Sequence, residues 1–254
     1  AWPDIDRSGV LTREQLDQVL LDRQPGLRLG SNLVQQGLIT REQLAAGVAE
    51  QSGVSWEHID AYGLERETLH RVPPNIAMHY GVLPLRIEDG VLVLACETYL
   101  DPVSLGALSR KLRSPVTYVI ACKGEVSVGL RHWYARGQEG DPRALLQRAL
   151  TDGQIAEAQS TSIWNKYLAS QVMLPELLVT LGHIDEAALR SLLLRHERSE
   201  KTLASFLVEQ EVISEQVLAQ ALVLQGTYQL NLHDLLREAG ANETWLARQQ
   251  EEAI

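Results

Sequence analysis

Residues 28–51 read RLGSNLVQQGLITREQLAAGVAEQ. Thr40 is followed three residues later by Gln43, the spacing at which a hydroxyl accepts from the N3 amide while the Gln side chain reaches back to the cap. Leu44, Val48 and Gln51 then recur at helical spacing, giving one apolar face that ends in a polar residue. Gly37 stands where a left-handed residue closes a preceding helix, expected over residues 30–36. The unit is a helix, a glycine turn and a capped helix.

The unit repeats. LTREQL at 11–16 echoes ITREQL at 39–44, so Thr12 and Gln15 predict another cap, followed by Leu16, Val19, Leu20 and Arg23. The echo returns at 174–196, where Gly182 aligns with Gly37, Leu178 with Leu33 and Ile184 with Ile39. A further copy lies at 202–225, with Glu211 in the glycine position, Leu207 on Leu33 and Ile213 on Ile39. Four copies therefore form two pairs, one at each end of the chain. Between them, GVLPLRI and VLVLAC flank Glu88-Asp89-Gly90, a hairpin signal. A helix capped by Asp101 with Pro102 at its first position, a strand VTYVIA and a closing helix from Lys123 follow. The sequence thus predicts an α+β protein. Residues 1–62 form a helical repeat pair, 63–136 a small three-stranded α+β unit, and 143–254 a mostly helical segment with a degenerate pair. GQEGDP at 137–142 is the linker.

The chain has 254 residues, 45% hydrophobic and 22% charged, enough to bury more than one core. A net charge of −10 is the wrong sign for a broad nucleic-acid surface. Cys96 and Cys122 lie in strand-like stretches, and no Cys/His spacing suggests a metal; reduced thiols in a cytoplasmic setting are expected. The seven histidines are scattered, and no apolar run approaches the ~18 residues that cross a bilayer. No phosphate-binding loop, nucleophile elbow or zinc-protease motif is present, so a regulatory or connecting role is expected and catalysis is not. The opening at Ala1, almost within a repeat, suggests a soluble fragment of a longer protein.

Arg28-Leu29-Gly30 heads the second copy. An arginine fork beside a glycine suits a phosphate, leucines such as Leu33 on facing helices offer an apolar wall for a purine, and Gln51 offers an amide. The pattern RLGxxLVxxGxIxxxxLxxxVxxQ over residues 28–51 resembles the tandem nucleotide-binding motif of the MshEN domain. That domain occurs at the N-terminus of secretion and pilus ATPases and is attached to some bacterial glycosyltransferases. The resemblance extends through RVPPNIAMHYGVLPLRIEDGVLVLA at 71–95 and covers roughly residues 1–136.

Members of the family that bind a ligand bind cyclic di-GMP between two consecutive motifs, so the resemblance implies this ligand; no metal is expected. It places the head on Arg28, Leu29 and Gly30, the wall on Leu44 and Val48, and the final Gln on Gln51. In the first motif the wall falls on Leu16 and Leu20, but Arg23 replaces the final Gln. Its head would fall near Ala1 and Trp2, with Arg7 the available cation. Asp101 can accept from a guanine edge if it faces the site, and otherwise is a helix cap. The downstream pair has Met173-Leu174-Pro175 and Thr202-Leu203-Ala204 in place of the head, so no nucleotide is expected there. The resemblance further implies a parent of the phage-adsorption type, an inner-membrane glycosyltransferase exporting a polysaccharide. This chain would then lie at the cytoplasmic membrane face and regulate the membrane-embedded part. The alternative is a ligand-free adaptor that docks a secretion-system partner.

Overall fold

A computed structural model describes residues 13–21, 23–134, 141–196, 199 and 201–251. In chain order these form α1 (Arg13–Leu21), α2 (Leu29–Gln35), α3 (Arg41–Ser52), β1 (Trp56–Glu57), α4 (Arg66–Leu69), α5 (Pro74–Tyr80), β2 (Leu83–Glu88), β3 (Val91–Cys96), α6 (Pro102–Leu112), β4 (Val116–Ala121) and α7 (Glu125–Tyr134). Eight further helices follow: α8 (Pro142–Thr151), α9 (Glu157–Ala169), α10 (Leu174–Thr180), α11 (Glu186–His196), α12 (Leu203–Glu209), α13 (Glu215–Tyr228), α14 (Leu232–Glu238) and α15 (Glu243–Glu251). Residues 135–140, most of the expected linker, and Thr12 of the first cap lie outside the described residues.

The sheet has four strands in the order β1-β4-β3-β2, not the three that the sequence suggested. The missed strand, β1, is two residues long and pairs in parallel with Ile120 and Ala121 of β4. So short a run has no alternation to read, and its place comes from the partner strand. The β2–β3 hairpin turns on Asp89 and Gly90, both at positive φ, as a tight two-residue turn requires. β3 and β4 are parallel, joined by α6, whose first amides at Val103 and Ser104 donate to Asp101. Around the sheet a core forms from Ala45 and Ala49 of α3, Ile76 and Ala77 of α5, Leu108 of α6 and Val126 and Leu130 of α7.

The repeat unit is used more often than its sequence signature. At the end of α2 the amide of Leu38 donates to Leu33 O, with Gly37 at positive φ between them. The same closing bond runs from His183 to Leu178 after α10 and from Val212 to Leu207 after α12. It also runs from Gln154 to Ala149 after α8, across Gly153, and from Ala241 to Leu236 after α14, across Gly240. These are helix ends closed by a left-handed residue, which satisfies carbonyls the helix leaves open. Of the units α8–α9 and α14–α15, the first has changed its marker residues, whereas the second keeps Leu236 and Gly240. Ala149 stands for Leu33, and the N-cap of α9 is Ala156, whose amide is capped by Gln159 alone, where Thr40 and Gln43 cap reciprocally. The two outer units share one core, including Leu146, Ile163 and Leu236. The two inner units share another, including Leu178, Leu189 and Leu207.

The loop before α2 meets the downstream units. Leu27, fully buried, inserts beside Val172 and Leu177, and the Tyr228 hydroxyl donates to Pro25 O at 2.6 Å. At Gly124 (φ +92) backbone packs on backbone: a Cβ there would lie 2.0 Å from Leu168 O, at the end of α9. Gly124→Ala is therefore expected to destabilise the chain by roughly 3 kcal/mol or more, from a forbidden contact and a left-handed backbone together. Glu211, at φ 55 where the four sister units carry glycine, should behave oppositely. Glu211→Gly is expected to stabilise by about 0.5–1 kcal/mol. Urea denaturation of both variants checks the pair, and a Gly124→Ala chain as stable as wild type would refute the close approach.

Candidate functional site

The motif head sits where the chain enters α2. Arg28 is the extended residue before the helix, and its carbonyl accepts from the Asn32 amide at 3.0 Å. Asn32 is completely buried and folds the preceding loop onto the helix. Its side-chain oxygen accepts from Gln24 N at 2.9 Å, while its amide donates to Leu27 O and Arg28 O. Arg23 turns to the same loop, donating from Nη2 to Leu27 O at 2.9 Å. A Cβ on Gly30 would lie 2.5 Å from Leu44 Cδ1, so the glycine lets α2 and α3 close on one another.

The Arg28 side chain is 43% exposed, and its Nη2 lies 3.6 Å from Glu186 on α11. It opens on a cleft of 240 Å³ whose wall also includes Glu97, Tyr99, Asp101, Glu176 and Glu186. The structure thus brings Arg28 and Asp101 to one cleft. Asp101 is occupied as a cap there: its carboxylate accepts from Val103 N, Ser104 N and, at 2.6 Å, the Ser104 hydroxyl. The other expected residues lie elsewhere. Leu29, Leu33 and Leu44 pack with Val19 of α1 in a small core, in which Leu33 is wholly buried. Val48 packs on the sheet core, Gln51 is exposed near the end of α3, and Leu20 is 51% exposed on α1. Arg7 and the side chain of Leu16 lie outside the described residues.

A polar network unmarked in the sequence supports this region. Arg41, the first residue of α3, is buried; its Nη1 donates to Lys123 O at 2.9 Å and its Nη2 to Asn165 Oδ1 at 2.8 Å. Its guanidinium lies 3.6 Å from Glu125, and the two side chains are 6% and 7% exposed. Glu125 also accepts from Ile59 N, Cys122 N and His58 Nδ1. Lys123 is equally withdrawn, with Glu176 at 3.4 Å and Glu97 at 4.0 Å; Ser31 donates to the other oxygen of Glu176. Each ion is paired, as burial requires. The available signal was the arginine shared by both TREQL copies. Beside it, burial opposes ionisation of Glu42. Hydrogen bonds from its own amide and Thr40, with Arg41 and His58 near, nevertheless hold its carboxyl below the usual range. Burial pushes both thiols, Cys96 and Cys122, up to about 12.

Residues 52–140 match the model of the MshEN domain family, and the chain contains an MshEN domain over this span. The match begins immediately after Gln51, so the motif lies just ahead of it. The chain is 46% identical over 243 residues to Bacteriophage adsorption protein B of Escherichia coli (strain K12). Bacteriophage N4 adsorption protein B of Escherichia coli O157:H7 matches to the same extent. Both alignments cover 96% of this chain and 33% of the relative, so the chain spans about a third of the relatives' length. A solved structure described as "Structure of MshE with cdg" is similar with a TM-score of 0.43 and 23% identity, covering 52% of this chain and 97% of that one. Among the described residues no helix is long and apolar enough to cross a membrane.

Removing one partner of the Arg41–Glu125 pair leaves the other charge buried without its counter-ion. Arg41→Ala is expected to cost about 3–5 kcal/mol. Arg41→Lys should recover only part of this, since an ammonium cannot span Lys123 O, Asn165 and Glu125 as a planar fork does. Thermal and urea melts of the two variants measure the difference.

Proposed function

We propose that the chain is a cyclic di-GMP receptor module regulating a membrane-associated bacterial glycosyltransferase or polysaccharide secretion machine. The observation that carries this reading is the half-exposed guanidinium of Arg28, at the head of a motif matching the family's binding pattern and directly preceding the MshEN domain. The ligand would lie over the exposed side of the motif, with Arg28 on a phosphate and Leu20 and Gln51 available along α1 and α3. The cleft beside Arg28 is smaller than the roughly 300 Å³ at which small-molecule pockets begin, and it carries four carboxylates, so a dianion would not enter it. The relatives named adsorption protein B, and the family's attachment to glycosyltransferases, support a parent at the cytoplasmic face of the inner membrane.

Regulation follows from what Arg28 holds now. Glu186 belongs to a downstream unit, and Leu27 and Ser31 on either side of the head also contact that region. A phosphate that takes Arg28 from Glu186 would favour one arrangement of motif and downstream units, and that differential affinity is what a switch requires. The alternative, a ligand-free adaptor, is favoured by Leu222, Val223 and Leu230, exposed on and just after α13.

Calorimetric titration with cyclic di-GMP separates the two readings. Micromolar or tighter binding that Arg28→Ala abolishes is the expected result. An exposed pair contributes at most about 1 kcal/mol, so Glu186→Gln should tighten binding by up to about fivefold. Absence of heat from the wild-type chain and from one extended upstream of Ala1 would favour the adaptor.

A further inference from the structure

Glu42 in the first turn of α3, His58 just after β1 and Cys122 just after β4 come from three separate elements. A carboxylate oxygen, a ring nitrogen and the thiol sulfur of these residues nevertheless lie within 4.8 Å of one another. His58 Nε2 is 3.5 Å from Glu42 Oε1, while its Nδ1 is 2.9 Å from Glu125 Oε1. A carboxylate on one ring nitrogen fixes the tautomer and turns the other toward a metal, the usual support of a histidine ligand. Glu125 is itself fixed by Ile59 N, Cys122 N and Arg41, so this support is rigid.

The donor set decides the metal. Sulfur, imidazole and one carboxylate suit Zn²⁺, whereas Mg²⁺ and Ca²⁺ take oxygen. Zinc bonds of about 2.0–2.3 Å set tetrahedral donors roughly 3.3–3.8 Å apart. His58 and Glu42 are 54% and 35% exposed while Cys122 is buried, so the gap would close chiefly by movement of Glu42, His58 being held on Glu125. The exposed pair also leaves the ion a route from solvent.

We propose that Glu42, His58 and Cys122 form a Zn²⁺ site, oriented by Glu125, with a fourth position open to water. Binding replaces the thiol hydrogen by a sulfur–zinc bond and releases the proton to solvent, with no change in oxidation state. The ion would pin the start of α3, and with it the motif, to the edge of the sheet at β1 and β4. This is independent of whether the motif takes a nucleotide.

The test is Co²⁺ titration of the reduced chain, followed by displacement with Zn²⁺. One Co²⁺ per chain with a thiolate-to-cobalt charge-transfer band is expected, lost in Cys122→Ser. Glu42→Gln, at a partly exposed position that folding tolerates, should weaken Zn²⁺ binding at least tenfold, the lower end for losing a ligand's support. The proposal is overturned if wild type gives no charge-transfer band, if the band survives Cys122→Ser, or if Glu42→Gln and His58→Ala bind Zn²⁺ as wild type does. Should Cys122→Ser fail to fold, the wild-type band and the Glu42→Gln affinity decide the matter.

Discussion

The ion pair between Arg41 and Glu125 is almost wholly withdrawn from water, where a charge without its partner costs several kcal/mol. That constraint makes the short turn Cys122-Lys123-Gly124-Glu125 the joint of the molecule. Glu125 and the Lys123 carbonyl receive Arg41 from α3, and the Lys123 ammonium reaches Glu97 and Glu176. Gly124 lies against the backbone that ends α9. Motif, sheet, first downstream unit and inner downstream unit all converge here, and moving any one of them exposes a buried charge.

The repeat explains why the architecture tolerates so much sequence change. Each unit needs a short helix, a residue that accepts positive φ and a closing hydrogen bond to a buried position. Leu33, Leu178, Leu207, Leu236 and the smaller Ala149 fill that position without exposure. Once packing secures the unit, the head is free to diverge. Arg28-Leu29-Gly30 keeps its cation and its glycine, while Met173-Leu174-Pro175 has neither. The Arg28–Glu186 contact then joins the copy that retains its head to a copy that has lost it.

Much of this was legible locally. The Thr40–Gln43 cap, the Asp101 cap, the Asp89-Gly90 hairpin and the paired inner units are all set by neighbours within a few residues, and sequence spacing reports such neighbours directly. β1 and the outer units α8–α9 and α14–α15 were not legible, because their identity depends on distant partners: β4 for the strand, and each other's cores for the helices. The candidate site divides in the same way. Arg28 and Gly30 stand out by residue type. That Gly30 serves the contact with Leu44, and that Asp101 shares a cleft with Arg28, depends on elements brought together only by folding.

The sequence by itself determined the unit: capped helices, glycine turns and apolar faces are consequences of backbone sterics and hydrogen bonding among nearby residues. The tertiary structure alone decided that the first repeat pair meets the downstream units at Leu27, and that Lys123 is neutralised by carboxylates from other elements. It also decided that Glu42, His58 and Cys122 stand together. Burial of charge and of apolar surface is a property of the assembled interior, and no spacing along the chain encodes which distant group will share it.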